Sequence, residues 1–242
     1  NWKVTTTNYG EKTGSFAVTV ERAVLNLSRD VDKTRTYNGT TDALAQVEKP
    51  VLTGQQNGEE INVTVKSAEY DQATVDARKI TITYTITADG ASLNNYKVKI
   101  ADAEAVDAKA TMTEEVDATI APAEVTVTIN GQSFVYNGSK PTVEQNKWTR
   151  TGGTVYNYDD LEITLSIPDN AKDAGTYAIT GKAGNENYNV TFVDGEFEIT
   201  PREVAVTIGD TEGVYGDEPV LSTVTLTCGN MAGGDSTELF RN

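Results

Sequence analysis

Paired carboxyl groups are the side chains best suited to chemistry in this sequence. They occur as Glu59-Glu60, Glu114-Glu115 and Asp159-Asp160, with Asp169 and Asp173 inside "PDNAKD". Glycoside hydrolysis needs two such acids facing each other across a groove, which short strands joined by tight turns seldom leave open. Calcium suits loop carboxylates better, since a hard cation collects several oxygens from one turn. No D-x-D-x-D-G loop is present, however, and "PDNAKDAGTY" reads as a solvated turn, with a cation at Asp169 and Asp173 as the alternative. The sequence has no histidine and a single cysteine, Cys228. A Ser-His-Asp or Cys-His arrangement therefore cannot be built, the usual zinc ligand sets are out of reach, and no disulfide can close within the chain. Cys228 follows an apolar alternation with nothing nearby to lower its pKa, so it reads as a small apolar filler rather than a nucleophile. The expectation is a protein with no catalytic residues, no metal site and no cofactor.

The remaining candidates are aromatic. Trp148, Tyr156 and Tyr158 lie around the Gly-containing "TGGTVYNYDD", beside Asp159 and Asp160. Exposed together, these five residues would make a sugar-stacking platform with carboxylates at its rim. The competing reading packs Trp148 and Tyr156 into a core, where aromatic side chains usually go.

Charge narrows the partners. With 36 acidic against 20 basic residues the net charge is −16, and nucleic acid or anionic lipid would need a clustered positive field that the chain lacks. No apolar run is long enough to span a bilayer. The absence of paired cysteines points to a bacterial exported protein or an intracellular one. The chain opens at Asn1 without Met or a leader, and is read as a piece of something longer.

The elements that would position these residues are strands. In "EVTVTI" (Glu124 to Ile129) valine and isoleucine alternate with threonine, the mark of a strand buried on one side. The same alternation recurs in "KITITYTI" from Lys79, "LEITLSI" from Leu161, "GEFEIT" from Gly195 and "EVAVTI" from Glu203. Asn-Gly and Asp-Gly turns separate the runs. Residues 101–118 mix helical composition with an alternating pattern, and are read as strand.

The strands repeat. "FAVTVERAVLNL" (Phe16 to Leu27), "ATIAPAEVTVTI" (Ala118 to Ile129) and "FEITPREVAVTI" (Phe197 to Ile208) are one seam written three times, each followed by a tyrosine turn at Tyr37, Tyr136 and Tyr215. Those tyrosines recur in register and are read as structural. "NWKV" from Asn1, "NYKV" from Asn95 and "NYNV" from Asn187 mark the closing strand of each module. Tyr136 and Tyr215 are 79 residues apart, as are Pro122 and Pro201, whereas Tyr37 and Tyr136 are 99 apart. The expected domains are a closing segment (1–21), a longer module (22–121), a shorter one (122–201) and the opening of another (202–242).

"DAGTYAITGKAGNENYNVTFVDGEFEITPREVAVTI" with "VYGDEP" resembles the MBG repeats of large bacterial surface proteins, and "RTYNGTTDA" with "TVDARKITITYTITADGASLNNYKV" resembles their sister YDG repeats. Here the YDG tripeptide reads Tyr37-Asn38-Gly39, and "DAGTY" becomes "DARKI" at Asp76 to Ile80 in the longer module. The resemblance implies an extracellular protein at the bacterial cell surface, with the repeats acting as a non-catalytic stalk or spacer that displays an adhesive region. The alternative is a direct glycan- or mucin-binding adhesin module, with host or environmental glycans or surface proteins as partners; the charge argues against nucleic acid, and no membrane insertion is expected of these residues. The implied fold is all-β, a string of immunoglobulin-like sandwiches, with β-grasp modules as the alternative. "DAGTYAI" resembles a tyrosine corner, in which the Tyr177 hydroxyl ties back to local backbone.

Overall fold

A computed structural model describes residues 1–157, 159–218 and 224–240. The fold is all-β, with two compact units: residues 1–35 with 40–120, and residues 36–39 with 121–242. The division after Ile120 falls beside the seam read from sequence, and no division falls at residue 201. The Thr36–Gly39 segment is part of the second unit although it lies far upstream of the rest in sequence.

In the first unit, β1 (Trp2–Thr6) and β2 (Tyr9–Gly14) form an exposed hairpin. β3 (Ala23–Ser28) buries Leu25 and Leu27, and β4 (Thr34–Thr36), whose last residue is counted with the second unit, and β5 (Val51–Thr53) are short. β6 (Glu60–Tyr70) and β7 (Lys79–Asp89) pair along their whole length, with a bulge between Val65 and Ser67. The alternation in "KITITYTI" has the expected consequence: Ile80, Ile82, Tyr84 and Ile86 all point into the core. β8 (Tyr96–Ile100) lies parallel to β3, from Ala23 opposite Tyr96 to Leu27 opposite Ile100. Residues 101–118 hold β9 (Val106–Asp107) and β10 (Thr111–Asp117), so alternation outweighs their alanine and glutamate content; β11 (Thr119–Ala121) follows.

The second unit runs through β12 (Ala123–Ile129), β13 (Gln132–Val135), β14 (Trp148–Gly153), β15 (Thr164–Ser166), β16 (Gly175–Lys182), β17 (Tyr188–Val193) and β18 (Gly195–Thr200). β12 is central to a three-stranded sheet, antiparallel to β14 and parallel to β17. The other sheet has the order β13-β18-β16-β15, with β13 parallel to β18. Ile129, Leu165, Ile179, Phe197 and Ile199 form its core with Val143 and Ile167, and the Phe134 and Phe197 rings stack 4.6 Å apart. The Tyr177 hydroxyl donates to the Asp173 carbonyl at 2.9 Å, the tie expected at "DAGTY". β19 (Ala205–Ile208) and β20 (Leu226–Gly229) pair antiparallel, placing Val206 opposite Cys228. Residues 219–223 and 241–242 of the expected fourth module lie outside the described residues.

Candidate functional site

One cluster in the second unit gathers aromatic rings around a carboxylate. Asn157 takes φ 52°, which asparagine tolerates because its short side chain bonds locally. The turn it makes returns the Asp159 N–H to the Tyr156 carbonyl at 2.9 Å. Asp159 is thereby aimed at two phenols: Tyr188 from the start of β17 donates to its Oδ2 at 2.8 Å, and Tyr37 donates to the same oxygen at 2.7 Å. The Tyr188 oxygen also accepts the Tyr156 N–H at 2.9 Å. Both phenol rings are buried, and Tyr37 meets Tyr156 and Tyr188 edge-on, with centroids 6.1 and 5.4 Å away. Asn157 Nδ2 donates to the Gly39 carbonyl at 2.7 Å. Burial raises the pKa of both phenols, and the hydrogen bonds to Asp159 add to the effect.

This geometry binds two hydroxyls to one carboxylate and supplies no nucleophile. Of the residues singled out from sequence, Tyr156 and Asp159 come together here. Trp148 pairs with Ile129 and packs on the core, whereas Tyr188 pairs with Ala123. The two aromatics thus sit at opposite ends of β12, roughly 20 Å apart at about 3.3 Å per residue. Asp160 is exposed, its Oδ1 accepting the Glu162 N–H at 2.9 Å. Tyr158 lies outside the described residues.

Elsewhere, Asp169 accepts Lys140 Nζ at 2.7 Å, and this bond holds its carboxyl below the usual range. Among the described residues no group of three or more acidic, Cys or His side chains is arranged to hold a metal.

Comparison with known families matches the YDG domain to residues 21–105 and the MBG domain of YGX type to residues 125–198. The chain carries a YDG domain and an MBG domain. A search of curated proteins finds no match.

Within the YDG domain the same arrangement recurs with other residues. Tyr96 stands in the place of Tyr188, donates to Glu59 Oε2, and accepts the Gln56 N–H at 3.0 Å. Its pKa is raised chiefly by the bond to Glu59, with burial second. A second carboxylate pairing lies beneath β7 and β10, where Arg29 Nε and Nη2 reach the two Glu114 oxygens at 2.7 and 2.6 Å and the Tyr84 hydroxyl donates to Oε1.

Sequence reasoning missed Tyr37, Tyr188, Tyr96 and Glu59 as members of these clusters. The signal was available: "NYKV" and "NYNV" hold Tyr96 and Tyr188 in register, and "QNGE" and "YNYD" place an acid at the same offset from an asparagine turn.

Proposed function

We propose that this chain is a load-bearing spacer in a bacterial surface protein, holding an adhesive region out from the cell. YDG and MBG domains are non-catalytic repeat-type domains, consistent with a repeat region of a surface protein. The observation that carries the reading is strand direction. In each domain the first strand lies parallel to a late one, β3 with β8 and β12 with β17. Tension on the chain draws the early strand back and the late strand forward, along the ladder. Its hydrogen bonds are then loaded together in shear, whereas an antiparallel pair pulled from its open end breaks them one at a time. β9 to β11 follow β8, and β18 follows β17, so the two ladders bear the load once those later strands are drawn off; this ordering supports the reading that each domain resists extension.

Direct ligand binding is the competing function. Glycan and protein arrays probed with the full chain separate the two. A spacer gives no saturable signal; saturable binding that is lost on Trp148→Ala or Tyr156→Ala would make this region an adhesin instead.

A further inference from the structure

Four turns among the described residues share one construction. In each, an acid returns its N–H to the carbonyl three residues earlier: Glu59 to Gln56 at 2.9 Å, Asp159 to Tyr156 at 2.9 Å, Asp217 to Val214 at 3.1 Å and Asp235 to Ala232 at 3.2 Å. Each contains a left-handed residue, Asn57 at φ 53°, Asn157 at φ 52°, Gly216 at φ 100° and Gly234 at φ 94°.

Two of these turns hold a tyrosine that comes from far upstream in sequence. Tyr37 donates to Asp159 at 2.7 Å and Tyr136 to Asp235 at 3.3 Å. Each tyrosine is also fixed by its backbone, Tyr37 N–H to the Ala121 carbonyl at 2.8 Å and Tyr136 N–H to the Thr200 carbonyl at 2.9 Å. Both belong to a Tyr-Asn-Gly turn whose glycine presses on the acidic turn. A Cβ at Gly39 (φ 75°) would lie 2.1 Å from Asn157 Nδ2, and one at Gly138 (φ 80°) would lie 2.7 Å from the Gly233 oxygen. Glycine is needed here for both conformation and space.

At the Glu59 turn the corresponding place is an open cavity of ≈ 500 Å³, lined by Glu21, Gln56, Asn57, Glu59 and Tyr96 among others. Four of these are the counterparts of the residues around Tyr37. Gln56 stands for Tyr156, Asn57 for Asn157, Glu59 for Asp159 and Tyr96 for Tyr188. The fifth, Glu21, precedes β3 by two residues as Ala121 precedes β12, so its carbonyl takes the place of the one that holds the Tyr37 N–H. We infer that this cavity is a docking socket for the Tyr-Asn-Gly turn of another repeat of the same kind, whose hydroxyl donates to Glu59.

The neighbouring surface supports that occupant. Phe16, Val18 and Val20 are exposed in alternation just ahead of the socket, while residues at the same offsets before β12, Val116, Ala118 and Ile120, are buried. An apolar edge beside an empty acidic turn matches a repeat that brings both a core and a tyrosine. The socket does not rest on the load-bearing reading, since it would serve an adhesin equally well.

The test extends the full chain ahead of Asn1 with a copy of residues 36–41 on a Gly/Ser linker of about 30 residues. Its reach of roughly 30 Å gives the turn an effective concentration on the order of millimolar. Amide resonances of Asn57, Gly58 and Glu59 are compared with those of the same extension carrying Phe in place of its Tyr, so the folded body is unchanged. The expected result is a shift specific to the tyrosine, reduced at least threefold by Glu59→Gln, which keeps shape and removes charge. Identical spectra for the two extensions, or a tyrosine-specific shift indifferent to Glu59→Gln, would overturn the inference.

Discussion

Asp159→Ala should destabilise the second unit far more than an exposed-turn aspartate would suggest. The substitution strands two phenol hydroxyls, those of Tyr37 and Tyr188, whose rings are each about 5% exposed. A hydrogen bond to a charged acceptor contributes about 1.5–3 kcal/mol net. Asp159 itself is half-exposed, so water replaces part of what is lost, and the expected cost is roughly 2–4 kcal/mol for the pair. At roughly 4 °C per kcal/mol for a unit of this size, the melting temperature falls by about 8–16 °C. Asp159→Asn keeps an acceptor and should cost about half as much. Calorimetry gives the total, and a double-mutant cycle with Tyr37→Phe isolates one bond, with an expected coupling of about 1–2 kcal/mol. A change within about 0.5 kcal/mol, the range of ordinary surface substitutions, would mean that the two bonds are no better than those to water and that Asp159 does not hold the cluster together.

Phe197→Ala empties a fully buried site beside Phe134 and should cost about 3–5 kcal/mol in urea unfolding, with a smaller loss contradicting the core assignment. Arg29→Ala leaves Glu114 with Tyr84 as its remaining partner among the described residues, and an expected loss of about 2–3 kcal/mol in the first unit is read from its urea midpoint. Alkaline pH should weaken the second unit, since Tyr37 and Tyr188 hold their protons more tightly when folded. The unfolded chain ionises first, so their contribution is fully present below about pH 10 and declines above it. Urea midpoints between pH 8 and 11 should fall, and the fall should flatten in Tyr37→Phe with Tyr188→Phe; an equal slope in both chains would contradict it.

Much of the fold is legible because strand periodicity is local. "KITITYTI" and "EVTVTI" state which side chains point inward, and the seams state where the pattern restarts. The alternating 101–118 stretch shows the limit of composition, since its alanines suit a helix while β9 and β10 follow the alternation. The site was harder to read. Tyr37 and Asp159 are 122 residues apart, and nothing local to either announces the other. Trp148 and Tyr156 look like one group in sequence because eight residues separate them, yet β14 carries the chain the length of β12 between them. Strand direction was equally hidden, since β3 and β8 read the same whether parallel or antiparallel.

Force applied to the two ends of single molecules tests the spacer reading most directly. Discrete rupture peaks are expected, each releasing the length of a whole repeat, roughly 260–290 Å for about 80 residues. A proline at Val127, inside the parallel ladder, should lower the MBG peak selectively. Smooth extension without peaks, or peaks unchanged by that proline, would contradict it.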